Sequence, residues 1–271
     1  DPSASFIQGV QARCKELQRR IVFAEGEEPA VVRAAFSFKN QGLGHPILIG
    51  REAQVERAME QMGIQPGTLE ILNARLSDNN PVYTDMLYAR LQRDGYLKRD
   101  AQRLVNQDRN VFGCCMLKNG DADGMVTGVT RNYDVALNDS LLVLDPIPGQ
   151  AIIGMSMVIN RGRTVFIADT SVTELPQGED LANIAIEAAR GVRSLGFSPR
   201  VAFLSYSTFG NPMGERGEKV REAVCILDEM GDVDFEYEGE MAPDAALNEK
   251  VMALYPFSRL SGPANVLIMP G

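Results

Sequence analysis

No stretch of this 271-residue chain approaches the roughly 18 consecutive apolar residues of a membrane-crossing helix, and its start lacks the basic and apolar regions of a secretory leader. Histidine occurs once. His45 sits in the Gly/Pro-containing stretch "GLGHP", and one imidazole cannot make a metal site unaided, so it reads as a loop residue. The four cysteines, Cys14, Cys114, Cys115 and Cys225, follow neither a metal-ligand spacing nor that of a disulfide-stapled secreted domain. They read as reduced thiols, and a cytoplasmic location is expected. Positive charge is scarce as well: 27 Lys and Arg stand against 36 Asp and Glu, a net charge of −9. Nucleic acid and anionic membranes are therefore not expected as partners, and a phosphorylated ligand would depend on local donors. There is no P-loop lysine motif and no G-x-S-x-G elbow. The "GLG" at 42–44 precedes a strand, whereas a dinucleotide fingerprint follows one. Nucleotide hydrolysis, serine hydrolysis and hydride transfer all lack their parts.

What is present is the composition of an ordinary globular protein, 45% hydrophobic and 23% charged, long enough for one large or two moderate domains. Apolar spacing alternates between helix and strand. The helical pattern "FIQGVQARCKELQ" leads to strand "RIVFAEG", helix "PAVVRAAFSFKNQ" to strand "ILIG", and helix "REAQVERAMEQMG" to strand "LEIL". Helical patterns over 82–94 and 98–118 precede strand "DGMVTG", after which "NYDVALNDSLLVL" resumes helix. "DPIPGQ" at 145–150 has the composition of a boundary loop. Beyond it "AIIGMSMVI" and "TVFIAD" flank "NRGR", which predicts an antiparallel hairpin. The alternation then restarts with helix 179–195, strand "RVAFLS", helix 215–230, strand "FEYEG", helix 243–254 and strand "NVLIM". The expectation is an α/β protein of two open domains, 1–145 and 146–271, with mainly parallel sheets between helical layers. The chain opens at Asp1 without methionine and closes on a strand with no helix after it, so a missing C-terminal segment is expected.

Ligands of such folds sit beyond the carboxyl ends of the strands, often in a crevice between domains. Five strand exits are chemically marked: "AEGEE" (24–28), "TGVTRN" (127–132), "ADTSVTE" (168–174), "SYSTFGNP" (205–212) and "EGEMAPD" (238–244). Three are rich in Thr, Ser, Asn and Gly, whose hydroxyls, amides and open backbone suit an anion or a carbonyl, although the same residues serve as helix caps. The acidic pairs Glu27/Glu28 and Glu238/Glu240 read as solvated faces or caps.

Six stretches occur in an order that resembles the motif series of phosphate acetyltransferases: "DADGMVTG" (121–128), "FIADTSV" (166–172), "DLANIAIEAA" (180–189), "PRVAFLSYSTFGNP" (199–212), "EGEMAPDAAL" (238–247) and "GPANVLIMP" (262–270). More narrowly, "TRNYDVAL", "STFGNP" and "LYPFSRLSGPANVLIMP" resemble the C-terminal phosphate-acetyltransferase-like domain of the bacterial hybrid NADP-dependent malic enzyme family. The resemblance implies an isocitrate-dehydrogenase-like pair of α/β/α domains whose cleft takes acetyl-CoA or acetyl phosphate. In working transferases a carboxylate deprotonates the CoA thiol, which attacks acetyl phosphate while arginines and backbone donors hold the phosphate.

Carried onto this chain, the ligand-binding set is Arg90, Thr127, Gly128, Thr130, Arg131, Ser205, Ser207, Thr208 and Asn211, with Arg93 an alternative to Arg90. No catalytic residue is assigned, because the family's aspartate and a Ser-Arg pair belong to a segment after residue 271. Asp134 stands where transferases carry an arginine, and Phe209 where they commonly carry a lysine in the S-T-x-G loop. Both changes weaken a phosphate grip while leaving room for a thioester. The resemblance thus implies a non-catalytic, acetyl-CoA-sensing and oligomerising domain (a homodimer or larger) joined to a malic enzyme portion. An active phosphate acetyltransferase is the alternative. No metal and no cofactor is expected in this part; NADP and a divalent metal belong to the malic enzyme portion.

Overall fold

A computed structural model describes residues 2–160 and 162–270. The chain forms two compact units, one of residues 8–145 and one of residues 146–271 together with residues 1–7. Residues 1–7 thus group with the second unit, whereas the sequence reading placed them in the first.

The unit of residues 8–145 is built on a four-stranded, wholly parallel sheet in the order β3-β2-β1-β4. Its strands are β1 (Arg20–Phe23), β2 (His45–Ile49), β3 (Glu70–Leu72) and β4 (Gly124–Val126). Helix α1 (Pro2–Leu17) precedes β1, and α2 (Pro29–Asn40), α3 (Glu52–Gln61), α4 (Asn80–Leu91), α5 (Lys98–Gln107), α6 (Arg109–Asn119) and α7 (Tyr133–Leu141) fill the connections. Side chains alternate across a strand, and the alternation sorts the core into two layers. Val22 and Ile47 pack with Leu87, Phe112 and Met116 of α4 and α6, while the next residues, Phe23 and Leu48, pack with Val32, Val55 and Met59 of α2 and α3. Helices therefore cover both faces.

The other unit carries a five-stranded sheet in the order β5-β6-β9-β7-β8. β5 (Met155–Asn160) and β6 (Arg163–Ala168) form the expected antiparallel hairpin, and β7 (Arg200–Leu204), β8 (Glu236–Met241) and β9 (Val266–Ile268) add in parallel. The same sorting holds. Val201 and Phe203 face α8 (Gly178–Ser194) and α9 (Glu215–Met230), and Ala202 and Leu204 face α10 (Pro243–Leu247). Ala182, Ala185 and Ala189 form a fully buried stripe on α8 that lets it lie close to Val220, Ala223 and Leu227 of α9. The fold class is the expected one, α/β with mainly parallel sheets.

Three local readings need correction. The helical pattern over 98–118 is broken at Asp108, which leaves the helical region and accepts from the N–H groups of Asn110 and Val111, ending α5 and capping α6. Asn248 does the same between α10 and the short α11 (Glu249–Met252) by accepting from the Lys250 N–H. A short polar side chain that competes for backbone donors splits a helix that apolar spacing alone reads as continuous. His45 opens β2 rather than lying in a loop.

Candidate functional site

Because β1 and β4 are neighbours, their exits emerge side by side, and this decides the fate of residues 127–131. Glu25, just past β1 and 1% exposed, accepts from the backbone N–H groups of Gly128 (3.0 Å), Val129 (2.8 Å) and Thr130 (2.6 Å) and from the Thr130 hydroxyl (2.6 Å). Burial pushes this carboxyl up, but the Thr130 hydroxyl and the three backbone donors outweigh it and hold Glu25 below the usual range. The backbone donors assigned to a ligand at Gly128 and Thr130 are thus engaged by the protein's own anion.

The side chains beside them are engaged too. Thr127 donates to Asn110 Oδ1 (2.6 Å), and Asn110 donates to Asp139 (3.0 Å). Arg131 places one nitrogen 2.6 Å from Asp108 and 2.5 Å from Asp139. Burial alone would lower the pKa of Arg131, but these two carboxylates raise it, so it stays charged and paired. Asp108 is therefore both helix cap and ion-pair partner. Thr127, Gly128 and Arg131 line a cavity of about 350 Å³ with Tyr133, Ala136, Leu137 and Ser140, so one wall is polar and the other is the apolar face of α7. Asp134 lies exposed in the first turn of α7.

Arg90 occupies a different place in this unit. Its guanidinium donates to the carbonyls of Leu141 (3.0 Å), Leu142 (2.8 Å) and Leu144 (3.3 Å) and pairs with Asp145 (2.6 Å). It closes the C-terminal end of α7, where a cation meets carbonyls left without helical partners. Arg93, its alternative, lies in the 3-10 turn Gln92–Asp94 that follows α4.

In the other unit, residues 205–212 leave β7 next to β8, and a buried carboxylate organises them as well. Glu240, 0% exposed, accepts from the Ser207 hydroxyl (2.7 Å) and the Gly210 N–H (2.9 Å), and both its oxygens lie within 2.9 Å of Arg221 Nη1. The Ser205 and Ser207 hydroxyls are 3.1 Å apart. A hydroxyl has one proton, and that of Ser207 goes to Glu240, so Ser205 donates to Ser207. These two serine hydroxyls therefore offer a ligand acceptors rather than donors. Thr208 Oγ1 accepts from the Ala242 N–H (3.0 Å), and its backbone bridges to Asn211, whose side chain makes no hydrogen bond among the described residues. Gly217 faces this centre, and a Cβ there would come 2.9 Å from Ser207 Oγ.

Phe209 adopts a left-handed backbone, with φ of 49°. The Glu240 carbonyl holds its N–H, and the rings of Tyr255 and Phe257 pack on it at centroid distances of 5.2 and 4.8 Å. An aromatic ring here builds a cluster where a lysine would present a charge.

The acidic residues are where the sequence reading fell short. Glu25, Glu238 and Glu240 are buried rather than solvated, and each accepts several hydrogen bonds. Glu27 accepts from two side-chain nitrogens of Arg51, Nε (2.9 Å) and Nη2 (2.8 Å), and from its backbone N–H (2.9 Å), which holds its carboxyl at about 2. At the β6 exit Asp169 takes the N–H groups of Gly154, Ser171, Val172 and Thr173. Asn110, Asp139 and Arg221 carried no sequence signal of their own. The one usable clue was position: acidic residues at the exits of β1 and β8 matter because their neighbours in the sheet are β4 and β7. Thr127, Gly128, Thr130 and Arg131 come together in one loop, and Ser205, Ser207, Thr208 and Asn211 in a loop of the other unit. Among the described residues no group of three or more His, Cys, Asp or Glu side chains is placed to hold a metal ion.

Comparison with known proteins gives a consistent result. The profile of the family described as Phosphate acetyl/butaryl transferase matches residues 5–271. An NADP-dependent malic enzyme from Rhizobium meliloti (strain 1021) is 56% identical over 272 residues, covering 100% of this chain and 36% of that protein. A phosphate acetyltransferase from Thermoanaerobacterium thermosaccharolyticum is 32% identical, covering 98% of this chain and 83% of that one. Among solved structures, the EutD phosphotransacetylase from Staphylococcus aureus superposes with a TM-score of 0.88 at 26% identity, covering 99% of this chain and 82% of that chain. The chain spans little more than a third of the malic enzymes it matches.

Proposed function

Because the chain belongs to the phosphate acetyl/butaryl transferase family, we propose that it is the acetyl-CoA-sensing portion of a hybrid NADP-dependent malic enzyme and does not itself transfer acetyl groups. The observation that carries this reading is the engagement of the family-type donors. Arg131 is bound by Asp108 and Asp139, the 128–130 amides by Glu25, and the Ser207 hydroxyl by Glu240. A phosphate needs free donors converging on it, and an acid beside such a point repels it by several kcal/mol at intermediate dielectric, on the order of 4 at 4 Å. An acyl carrier needs less. Within one unit the half-apolar cavity at Thr127, Gly128 and Arg131 suits a thioester, and within the other the acceptor oxygens of Ser205 and Ser207 suit amide N–H groups. The identity to a malic enzyme along the whole chain supports the choice of parent protein.

In this proposal malate decarboxylation takes place in a separate, covalently joined portion, where NADP and a divalent metal are bound, and this portion needs no cofactor. A cytoplasmic location and a homodimer or larger homo-oligomer belong to the same reading; among the described residues no helix is long and apolar enough to cross a membrane. Acetyl-CoA regulates only if it binds one state of the enzyme more tightly than another. The likeness to a protein named phosphate acetyltransferase over 98% of this chain favours a second reading, an active transferase.

A thermal-shift titration of the full-length protein with acetyl-CoA, run beside an assay of acetyl phosphate plus CoA, separates the two. Ligand at 100 times its dissociation constant stabilises the folded state by about 2.7 kcal/mol. A shift without turnover is the expected result. Turnover that disappears in Ser207→Ala establishes the transferase instead, and a flat titration rejects acetyl-CoA sensing.

A further inference from the structure

A second cavity, of about 410 Å³, lies in the unit of residues 8–145 at the carboxyl ends of β1, β2 and β3, and its lining includes Glu27, Arg51, Asn73, Arg75, Asn106 and Arg109. We propose that it binds the phosphate of a small phosphomonoester. This edge of a parallel sheet is where α/β folds place ligands, and it is a different stretch of the edge from the loop that leaves β4. In a chain of net charge −9, three guanidinium groups around one cavity against a single carboxylate is a local reversal of sign.

The carboxylate does not cancel the three. Glu27 is held by Arg51 through two side-chain contacts and the backbone N–H, an arrangement that fixes the Arg51 guanidinium at the mouth and leaves its Nη1 without a hydrogen bond among the described residues. Gly50 makes room for this pair, since a Cβ there would come 2.9 Å from Glu27 Cγ. Arg109 is near enough to help lower the pKa of Glu27, yet neither it nor Arg75 forms an ion pair among the described residues. Two cations facing a cavity without partners are ready for an anion, and guanidinium geometry matches phosphate oxygens. The backbone of Arg75 is set by the Asn73 side chain, which accepts from its N–H at 3.1 Å. Asn106 adds to the lining a side-chain amide whose buried oxygen has no hydrogen-bond partner among the described residues.

The inference does not rest on acetyl-CoA binding, and its test uses other probes. Isothermal titration of the full-length protein with ribose 5-phosphate, with ribose as the unphosphorylated control, is compared with the same titrations of Arg75→Gln/Arg109→Gln. Arg51 is kept so that Glu27 is not left alone. The phosphate ester binds the wild type, ribose does not, and the double variant binds about tenfold or more weakly; binding also weakens as KCl is raised above about 0.1 M, where the screening length falls below ~10 Å. Unfolding curves of the double variant that match the wild type exclude a folding defect. Equal affinity in the double variant, or no saturable heat from ribose 5-phosphate up to about 10 mM, ten times a Kd of ~1 mM, overturns the proposal.

Discussion

Replacing either partner of the Glu240–Arg221 pair breaks one ion pair, yet the two replacements should not cost the same. Glu240 is wholly buried and Arg221 is 32% exposed at its side chain. Arg221→Gln strands a carboxylate that keeps only the Ser207 hydroxyl and the Gly210 N–H, and breaking a buried pair in this way costs about 3–5 kcal/mol. Glu240→Gln keeps the shape and leaves a cation that turns to water, so about 1–2 kcal/mol is lost with the charge-assisted hydrogen bonds. The difference is about 2 kcal/mol, which at 2–4 °C per kcal/mol for a unit of this size places the melting temperature of Arg221→Gln roughly 4–8 °C below that of Glu240→Gln. The double variant has no charge to strand and should lie within about 1 kcal/mol of Glu240→Gln, a non-additivity that a double-mutant cycle reads directly. Urea unfolding and thermal melts of the wild type, both single variants and the double variant together measure all of this. A Glu240→Gln that is as destabilised as Arg221→Gln, or a double variant that is the sum of the two, refutes the claim that burial of the acid sets the cost.

Glu25→Ala removes one acceptor from three backbone amides and a hydroxyl, but residues 128–130 are exposed and recover water, so the expected cost is about 2–3 kcal/mol rather than the sum of four bonds. Hydrogen exchange at the amides of residues 128–130 should quicken; unchanged protection there refutes the role given to Glu25. Glu27 predicts an acid limb. Its carboxyl is depressed from 4.5 to about 2, so its contribution is complete above pH 4.5 and is lost as pH falls from 4.5 through about 2. Arg51→Gln should flatten stability against pH in that window, and KCl should partly do so, because Arg51 is 64% exposed. A wild type and an Arg51→Gln variant with parallel acid limbs contradict the assignment.

The candidate site was legible only in part, and the division has a cause. Ser205, Ser207 and Thr208, and Thr127 with Arg131, stand out because small polar residues interrupt apolar strands, a local break in pattern. The carboxylates that bind them do not stand out. Glu25 is one of three glutamates in "AEGEE", and nothing in that run separates the buried Glu25 from the half-exposed Glu27 or the cap-position Glu28. Arg90 shows the converse. Its family-like setting pointed to a ligand, while in the fold the carbonyls at the end of α7 surround it.

Local periodicity determined the layered α/β class, the hairpin of β5 and β6 and most element positions, since a repeat of two or of 3.6 residues is written into each short segment by itself. Only the tertiary structure decided which charges meet. Glu25 and Thr130 are 105 residues apart, Ser207 and Glu240 are 33, and each pair is joined because β1 lies beside β4 and β7 beside β8. Strand order is a non-local outcome of how whole faces bury one another, and the burial of Glu25 and Glu240, with the engagement of the loop donors that follows, depends on that order.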